Sequence, residues 1–316
     1  MDRTEHIGRR LKMRDLQLLE AVVRWGSIAK AATHLNLTQP AASKAIGQLE
    51  RALGVRLLDR STRGVEPTVY GRVLLNRGAA IFDELRRGVT EIDFLTDPTA
   101  GELRIGGTAS IVAGFLPAVL DRLCRRYPKM VFHVTEAEFR ILQERDLGDR
   151  KVDLIIGPLP STFTNDVADV EILFQESLCV VTGIKNKWAR RRNIELAELI
   201  DEPWVLPPPV SPGDSLVVDT FHSSGLEVPR MSVVSFSVQM RNAMLGTGRF
   251  LGMQSDSMLR FGAKRLGIVT LPVQLRGPLR KVGIVTLKNR MITPVAKRFI
   301  ECARELANVL APAPMR

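Results

Sequence analysis

The chain contains, at residues 16–71, the stretch LQLLEAVVRWGSIAKAATHLNLTQPAASKAIGQLERALGVRLLDRSTRGVEPTVYG. Its apolar residues recur at the three- and four-residue spacing of amphipathic helices, in three short runs. Ser27 and Thr38 stand just before the second and third runs, where a hydroxyl group accepts a hydrogen bond from a free backbone N–H group. Pro40 follows in the first turn of the third run, where proline costs no helical hydrogen bond. The stretch therefore predicts three short helices.

The third predicted helix has two unlike faces. At about 100° per residue, its apolar residues share one side. They are Ala42, Ala45, Ile46, Leu49 and Leu53. The other side carries small or polar residues, namely Pro40, Ser43, Lys44 and Gly47, with Gln39 at its edge. A helix that packs on a second protein element would carry Leu or Ile there, whereas small side chains are typical of a helix that enters a major groove.

A short hairpin is predicted to follow the three helices, with Gly64 at its tip. Arg56, Arg60 and Arg63 give this hairpin guanidinium groups that suit phosphates or a minor groove. Residues 1–70 hold 12 Lys and Arg against 7 Asp and Glu, a net charge of +5. A three-helix packing module that happens to be basic is the alternative interpretation. Geometry and charge together favour DNA binding.

The stretch also resembles a known module. The residues that carry the resemblance are Gly26-Ser27, Ala31-Ala32, Leu35, Thr38-Gln39-Pro40-Ala41, Ser43, Leu49-Glu50, Leu53-Gly54, Leu57, Arg60 and Thr68 to Gly71. In order and without a gap, they resemble the N-terminal winged helix-turn-helix of LysR-type transcriptional regulators. One departure is Leu58-Asp59, where the family usually has Phe followed by another residue before Arg.

The resemblance implies a transcriptional regulator that binds double-stranded promoter DNA. The residues that it assigns to DNA are Ser27, Thr38, Gln39, Pro40, Ser43 and Lys44 in the helix-turn-helix, and Arg60 and Arg63 in the wing. It also implies a homo-oligomer, a dimer through a linker helix that assembles further into a tetramer.

Residues 71–96 predict that linker helix. The spacing of its apolar and small residues matches a coiled-coil seam. The seam consists of Leu74, Gly78, Ile81, Leu85, Gly88, Ile92 and Leu95. Asp97-Pro98 predicts the end of the helix. An amphipathic helix that lies on its own domain is the alternative, but a connector between two subunits suits a DNA-binding domain, since two-fold DNA sites are bound by two-fold proteins.

From residue 101 onward, strand and helix patterns alternate, which predicts an α/β fold with a mostly parallel sheet. Strands are predicted at 103–107, 131–136, 153–157, 172–174, 178–182, 204–206, 231–236, 250–253, 268–271 and 282–287. Helices are predicted at 111–127, 140–147, 195–200, 238–245 and 293–310. The order is similar to the effector-binding half of the LysR family, two α/β subdomains resembling a periplasmic solute-binding protein.

The predicted domains are therefore three. They are a winged helix-turn-helix at 1–70, a linker helix at 71–98 and an effector-binding domain at 99–316. The resemblance divides the last into one subdomain of 101–174 plus 277–316 and a second of 175–276.

Ligands of such sheets lie at the carboxyl ends of strands, facing helix N-termini. The residues predicted there are Thr108, Ala109, Ser110, Ala137, Pro207 and Ser237. Ser110 and Ser237 are each also explained as plain helix caps. From residue 99 onward the chain holds 29 basic and 22 acidic residues, a net charge of +7. This surplus and the two converging helix starts lead to the hypothesis of a small anionic effector, a carboxylate.

Composition narrows the remaining classes of function. The 316 residues are 45% hydrophobic and 25% charged, with a net charge of +11, which suits a globular partner of polyanions or anionic ligands. Cys124, Cys179 and Cys302 are scattered, and the four histidines have no metal-ligand spacing. No catalytic or nucleotide motif, signal peptide or membrane-length apolar run is present. We therefore expect a cytoplasmic protein that is not an enzyme and uses no cofactor or metal. A solute-binding protein and an α/β enzyme are the rival classes.

Overall fold

The computed structural model describes residues 11–61, 64–160, 163, 166–208 and 215–308, with the backbone alone at 262–266. The chain divides into two units at Val89 and Thr90. The first unit contains helices α1 (Met13–Trp25), α2 (Ile28–His34) and α3 (Gln39–Leu53), strands β1 (Leu58–Ser61) and β2 (Gly64–Pro67), and most of α4 (Val69–Thr96). The antiparallel pair β1 and β2 forms the predicted hairpin.

The three short helices begin where the sequence predicts. The hydroxyl oxygen of Ser27 accepts a hydrogen bond from the Lys30 N–H group at 3.5 Å, and that of Thr38 accepts one from Ala41 at 3.4 Å. Gly54 ends α3 in the left-handed conformation, with φ of 72°. The caps at Ser27 and Thr38 confirm the local predictions, because each depends only on neighbouring residues.

The core of the first unit is apolar and buried. Its buried members are Leu18, Leu19, Ala21, Val22, Ile28, Ala31, Ala32, Ala42, Ile46, Leu49, Leu57 and Leu58. Leu58, the departure from the family pattern, is therefore part of this core. The carboxylate of Glu50 accepts hydrogen bonds from the backbone N–H groups of Leu57, at 2.8 Å, and Leu58, at 3.3 Å. Glu50 thereby ties the start of the wing to α3.

Helix α4 has two different parts. In its first part, Leu74 packs on the first core, and Gly78 is buried opposite Leu16, whose side chain would lie 3.8 Å from a Cβ atom added to Gly78. Further along, the seam residues are exposed, with Leu85 at 57% and Ile92 at 63% of full exposure. The interpretation of a helix lying on its own domain therefore applies to the first turns, and the rest presents an uncovered apolar strip.

The described part of the second unit contains two five-stranded sheets. Its strands are β3 (Ala100–Gly107), β4 (Lys129–Glu136), β5 (Leu154–Pro158), β6 (Ala168–Glu176), β7 (Leu178–Gly183), β8 (Trp204–Leu206), β9 (Met231–Val234), β10 (Leu251–Ser255), β11 (Ile268–Thr270) and β12 (Arg280–Leu287). Its helices are α5 (Ala109–Ala113), α6 (Phe115–Arg126), α7 (Phe139–Ile141), α8 (Leu216–Ser223), α9 (Val238–Gly246), α10 (Asp256–Leu266) and α11 (Pro294–Ala307).

Each sheet is mixed, with one strand reversed relative to the others. The first sheet has the strand order β4-β3-β5-β12-β6, in which β12 runs antiparallel to both of its neighbours. The second has the order β11-β7-β10-β8-β9, in which β7 is reversed in the same way. The predicted α/β class is confirmed, and helices cover the faces of both sheets as such strands require.

Several predicted helices differ from those observed. The single helix predicted at 111–127 is two helices, because Gly114 ends α5; a Cβ atom there would lie 2.6 Å from the Cα atom of Met258. The helix predicted at 140–147 is the short α7 followed by a π-helical segment, Leu142–Leu147. The one predicted at 195–200 is a 3₁₀ turn, Leu196–Leu199.

Helices α8 and α10 were not predicted. The final helix was predicted to reach 310; it is observed to Ala307, and residues beyond 308 lie outside the described part of the chain. Within the described chain, every helix is too short or too polar to cross a lipid bilayer.

Candidate functional site

The outer face of α3 is open to solvent. Gln39, Pro40 and Lys44 are exposed, and Ser43 and Gly47 are partly exposed. The opposite face, with Ala42, Ile46 and Leu49, is buried. The helix therefore presents a face of short side chains and one cation, with no large apolar group, as a helix in a major groove requires.

The turn before α3 fixes its angle to α2. Asn36 has a positive φ of 54°, which asparagine adopts more readily than most residues. The Leu37 N–H group donates to the carbonyl of Ala32 at 2.8 Å, and Thr38 then caps α3. Helices α2 and α3 with this short turn form a helix-turn-helix.

The wing is attached to the turn between α1 and α2. The Val65 N–H group donates to the carbonyl oxygen of Gly26 at 3.1 Å. Arg60 is exposed on β1, whereas Arg63 lies outside the described residues. Ser27 is partly exposed, and its hydroxyl oxygen accepts one hydrogen bond in the α2 cap, so its proton and its second lone pair are left for DNA.

Two exposed cations near this face were not predicted as site residues. Lys30 follows the Ser27 cap in the first turn of α2, and Arg51 lies in the last turn of α3. The signal available in the sequence was their helical position: Lys30 lies at a helix start, which can point at phosphates, and Arg51 lies one helical turn after Gly47 on the same face of α3. Both are candidates for backbone contacts that add affinity without reading bases.

The second unit contains a cleft of about 600 Å³ between its two sheets. Its described lining residues are Ala109, Val112, Ala113, Glu136, Ser237, Val238, Gln239, Asn242, Ala243 and Gly246. The first four lie on the side of the first sheet, in α5 and at the end of β4. The others belong to α9 or its cap. The volume is in the range of small-molecule sites.

Of the six predicted effector residues, Ala109 and Ser237 line this cleft. Thr108, Ser110, Ala137 and Pro207 are partly buried and are not among its described lining residues. The backbone N–H group of Thr108 donates to the Ile156 carbonyl at 3.3 Å. The hydroxyl oxygen of Thr108 is buried without a partner in the described structure. The assignment of these residues to a ligand stays a prediction.

Residues at the cleft that the sequence did not single out are Glu136, Gln239 and Asn242. Glu136 ends β4, directly before the predicted Ala137. Gln239 and Asn242 are three residues apart on α9, which places them on one side of the helix. The sequence signal that could have identified Gln239 and Asn242 was the presence of polar residues in the first turns after the Ser237 cap. Their approach to α5 depends on how the sheets face each other, which no local pattern contains.

The start of α9 leaves backbone donors unused. The Ser237 hydroxyl oxygen accepts a hydrogen bond from Met240 at 3.2 Å, and the Ser237 carbonyl accepts one from Arg241 at 3.0 Å. The N–H groups of Val238 and Gln239 are thus the ones without an intrahelical partner. The Nη1 atom of Arg241 donates a hydrogen bond to the Ser235 carbonyl at 2.6 Å. This atom is therefore not available to a ligand. Burial lowers the pKa of Arg241.

Asn242 is held from behind by a buried amide. The Nε2 atom of Gln254, on β10, donates to the Oδ1 atom of Asn242. This bond fixes the orientation of the Asn242 amide, and its Nδ2 group supplies the hydrogen-bond donors. Gln254 is 5% exposed, so the orientation of the Asn242 side chain is fixed by a residue inside the second sheet.

The chain passes from the first sheet to the second at Ser177, between β6 and β7. The Ser177 N–H group donates to Oδ1 of Asp256 at 3.2 Å, and the Asp256 N–H group donates to the Ser177 carbonyl at 3.0 Å. The chain returns between β11 and β12. The two sheets are therefore joined by extended segments, with α10 bound to one of the crossings.

This combination of a helix-turn-helix with a wing, a long connecting helix and a two-sheet module with a cleft defines a DNA-binding protein with a ligand-binding domain. Comparison with known families gives the particular class. Residues 13–72 match the bacterial regulatory helix-turn-helix protein of the lysR family, and residues 96–308 match the LysR substrate binding domain. The chain belongs to the LysR family of transcriptional regulators.

Individual relatives agree over nearly the whole chain. The chain is 29% identical over 296 residues to the HTH-type transcriptional regulator GbpR of Azospirillum brasilense, covering 93% of this chain and 86% of GbpR. It is 27% identical over 297 residues to TdcA of Escherichia coli (strain K12), covering 94% of each. Full-length CbnR complexed with its target DNA has a similar fold, with a TM-score of 0.65 at 20% identity, covering 93% of this chain and 99% of CbnR.

Proposed function

We propose that this regulator binds promoter DNA in the cytoplasm as a homo-oligomer, and that a small carboxylate-bearing metabolite in the cleft controls it. The observation that carries the proposal is the outer face of α3, where Gln39, Ser43 and Lys44 reach solvent over a buried apolar face. The proposed domains of this regulator are the DNA-binding domain at 1–70, the linker helix at 71–98 and the effector-binding domain at 99–316.

The proposed DNA contacts divide into two kinds. Gln39 and Ser43 have side chains that form hydrogen bonds with base edges, so they would contribute sequence preference. Lys44 and Arg60 carry charges that suit phosphates, so they would contribute affinity that falls with salt. Pro40, Ser27 and Thr38 shape the start of the helices, and Arg63 would act from the wing.

The proposed oligomer rests on α4. Its exposed strip of Ile81, Leu85, Ile92 and Leu95 follows a seam spacing and has no cover among the described residues of its own chain. Pairing through this strip would give the two-fold dimer that a palindromic DNA site needs. Further assembly to a tetramer is the arrangement that the family resemblance implies.

The proposed control site is the cleft between the sheets. The free N–H groups at the start of α9 are donors for a carboxylate, and the chain from residue 99 onward carries the basic surplus. Ligand binding would change the angle between the sheets about the crossing at Ser177 and so alter the spacing of DNA-binding domains. No reaction is part of this proposal.

The test is a DNase footprint of the purified full-length protein on the DNA upstream of its own coding sequence and on genomic fragments. It would be run at two salt concentrations with wild type, Ser43→Ala and Ser232→Ala. Ser232 is exposed on β9, so Ser232→Ala is a matched change away from α3.

We expect protection of an interrupted palindrome by wild type and Ser232→Ala, weakened at the higher salt concentration. Ser43→Ala should lose about 1–3 kcal/mol of binding free energy if Ser43 reads a base. Protection that ignores sequence, or is equal in all three proteins, would contradict the assignment of α3 as the reading helix.

A further inference from the structure

Glu136 is the charged residue in the described lining of the cleft. It ends β4, where its backbone lies beside Gly107 of β3, and its side chain is exposed to the cleft. Within the described chain its carboxylate forms neither a hydrogen bond nor an ion pair. An unpaired carboxylate on a cleft wall attracts a cationic or hydrogen-bond-donating group and repels a bare anion.

The opposite wall has the reverse character. The free N–H groups of Val238 and Gln239 form the positive end of the α9 dipole, and the Nδ2 group of Asn242 is a donor beside the oxygen that accepts from Gln254. All three residues line the same cleft as Glu136. Donors on one wall and a carboxylate on the other are complementary to a ligand with two unlike ends.

The rest of the described lining is small and apolar. It consists of Ala109, Val112, Ala113, Ala243 and Gly246, together with Ser237, whose hydroxyl oxygen caps α9. A ligand side chain next to these residues would contact mainly aliphatic groups, with no charged group to pair with. An uncharged, apolar side chain fits this surface better than a charged one, because burying an unpaired charge is costly.

We infer that the cleft selects a zwitterion, an α-amino acid with an apolar side chain, with its ammonium group on Glu136 and its carboxylate at the start of α9. This inference rests on the proposed function and makes it more specific. It replaces a simple anion by a ligand of net charge zero, since a carboxylate alone would leave Glu136 without a partner.

The experiment uses purified full-length protein and isothermal titration. The probes are the twenty proteinogenic amino acids, followed by analogues of valine and leucine that lack the amine (2-hydroxy and 2-oxo acids) or lack the carboxylate (the alkylamines). The proteins are wild type, Glu136→Gln and Glu138→Gln. Glu138 is an exposed glutamate two residues away and is not among the described lining residues, so it controls for the loss of a surface charge.

We expect apolar amino acids to bind wild type and Glu138→Gln alike. Both kinds of analogue should bind wild type on the order of tenfold more weakly, since each lacks one end of the ligand. In Glu136→Gln, amino acids should weaken on the order of tenfold, while the 2-hydroxy acids should not weaken. The preference for the amine would then be assigned to Glu136.

The inference is overturned if no amino acid binds, or if the amine-free acids bind wild type as well as the amino acids do. The footprint separates this failure from failure of the proposed function. If sequence-specific protection responds to a carboxylate that lacks an amine, the proposed function stands and the inference of a zwitterionic ligand is wrong. Absence of sequence-specific protection would remove the proposed function whatever binds the cleft.

Discussion

Ser257 donates a hydrogen bond to Glu176 where the chain passes between the two sheets of the second unit, with 2.5 Å between Oγ and Oε2. Glu176 is the last residue of β6, and Ser257 lies in the first turn of α10. Burial, together with the nearby charge of Asp256, raises the pKa of Glu176 to about 7, although Ser257, Ser255 and Arg280 act in the opposite direction. A group that titrates near neutrality therefore lies at the crossing.

Stability of the second unit should fall as pH rises through this range. The pKa of Glu176 is about 7 in the folded protein against 4.5 for an ordinary glutamate, so the folded state holds the proton more tightly. The stabilising effect of that proton is complete below pH 4.5 and is lost as pH rises to 7, at a cost of about 3 kcal/mol. Urea unfolding of a Trp25→Phe background, in which Trp188 and Trp204 report on the second unit, measures this slope at several pH values.

Glu176→Gln should flatten the slope, because glutamine keeps the shape of protonated glutamate and does not titrate. Glu301→Gln is the matched control, since Glu301 is exposed on α11. An equal pH slope in wild type and Glu176→Gln would contradict the assignment of the titration to Glu176.

Gly47→Ala should have opposite effects on stability and on DNA binding. Gly47 lies inside α3, and a Cβ atom there would meet nothing within 4 Å. Alanine should therefore stabilise the first unit by up to about 1 kcal/mol through helix propensity. The added methyl group lies on the proposed groove face, so DNA affinity should fall. Thermal melts and gel-shift titrations would measure both; unchanged DNA affinity would contradict close approach of this face.

Gly71→Ala should destabilise the first unit. A Cβ atom on Gly71 would collide with the backbone carbonyl oxygen of Leu57, which already accepts a hydrogen bond from Thr68 at 2.9 Å. Overpacking against backbone costs about 1–3 kcal/mol. Gly88→Ala, in the same helix with open space around it, should be neutral or stabilising. Equal melting temperatures for the two variants would contradict the contact.

Leu85→Lys and Ile92→Lys should reduce the oligomeric state. Both side chains are exposed on the uncovered strip of α4, and a lysine in a coiled-coil seam disfavours pairing. Glu91→Lys is the control, since Glu91 is exposed on α4 and does not belong to the seam. Sedimentation at micromolar concentration would measure the masses. If all three variants keep the mass of wild type, α4 is not the interface.

The sequence predicts best where structure is local. Ser27, Thr38 and Ser237 cap helices as their positions indicate, because a cap needs only the next few residues. Gly114 shows the opposite case. The break between α5 and α6 depends on Met258, which is distant in sequence, so the apolar pattern of 111–127 contains no sign of it.

The cleft follows the same rule. Ser237 was identifiable from its cap, and Ala109 from its place after a strand. Glu136 and Asn242 acquire their roles only because two sheets face each other and Gln254 orients the amide of Asn242. Neither relationship leaves a periodic pattern in the chain. Element order is therefore readable from the sequence, whereas the polarity of the cleft required the structure.

The ion pair of Arg290 and Asp153 provides a last prediction, on the stability of the first sheet. Arg290 Nη2 lies 3.0 Å from Asp153 Oδ1, and the two side chains are 1% and 3% exposed. Arg290 Nη1 also donates to the Val152 carbonyl at 2.7 Å. The other carboxylate oxygen of Asp153 accepts from the Arg104 N–H group at 2.9 Å.

Arg290→Met should destabilise the second unit by about 3–5 kcal/mol, because it leaves the carboxylate of Asp153 buried without its cation. Arg290→Met combined with Asp153→Asn should lose less, since no charge then remains unpaired. Arg304→Met is the control: its bidentate pair with Glu171 is exposed, so its loss should cost under about 1 kcal/mol. Urea unfolding measures all three, and equal losses for Arg290→Met and Arg304→Met would show that burial does not set the strength of the pair.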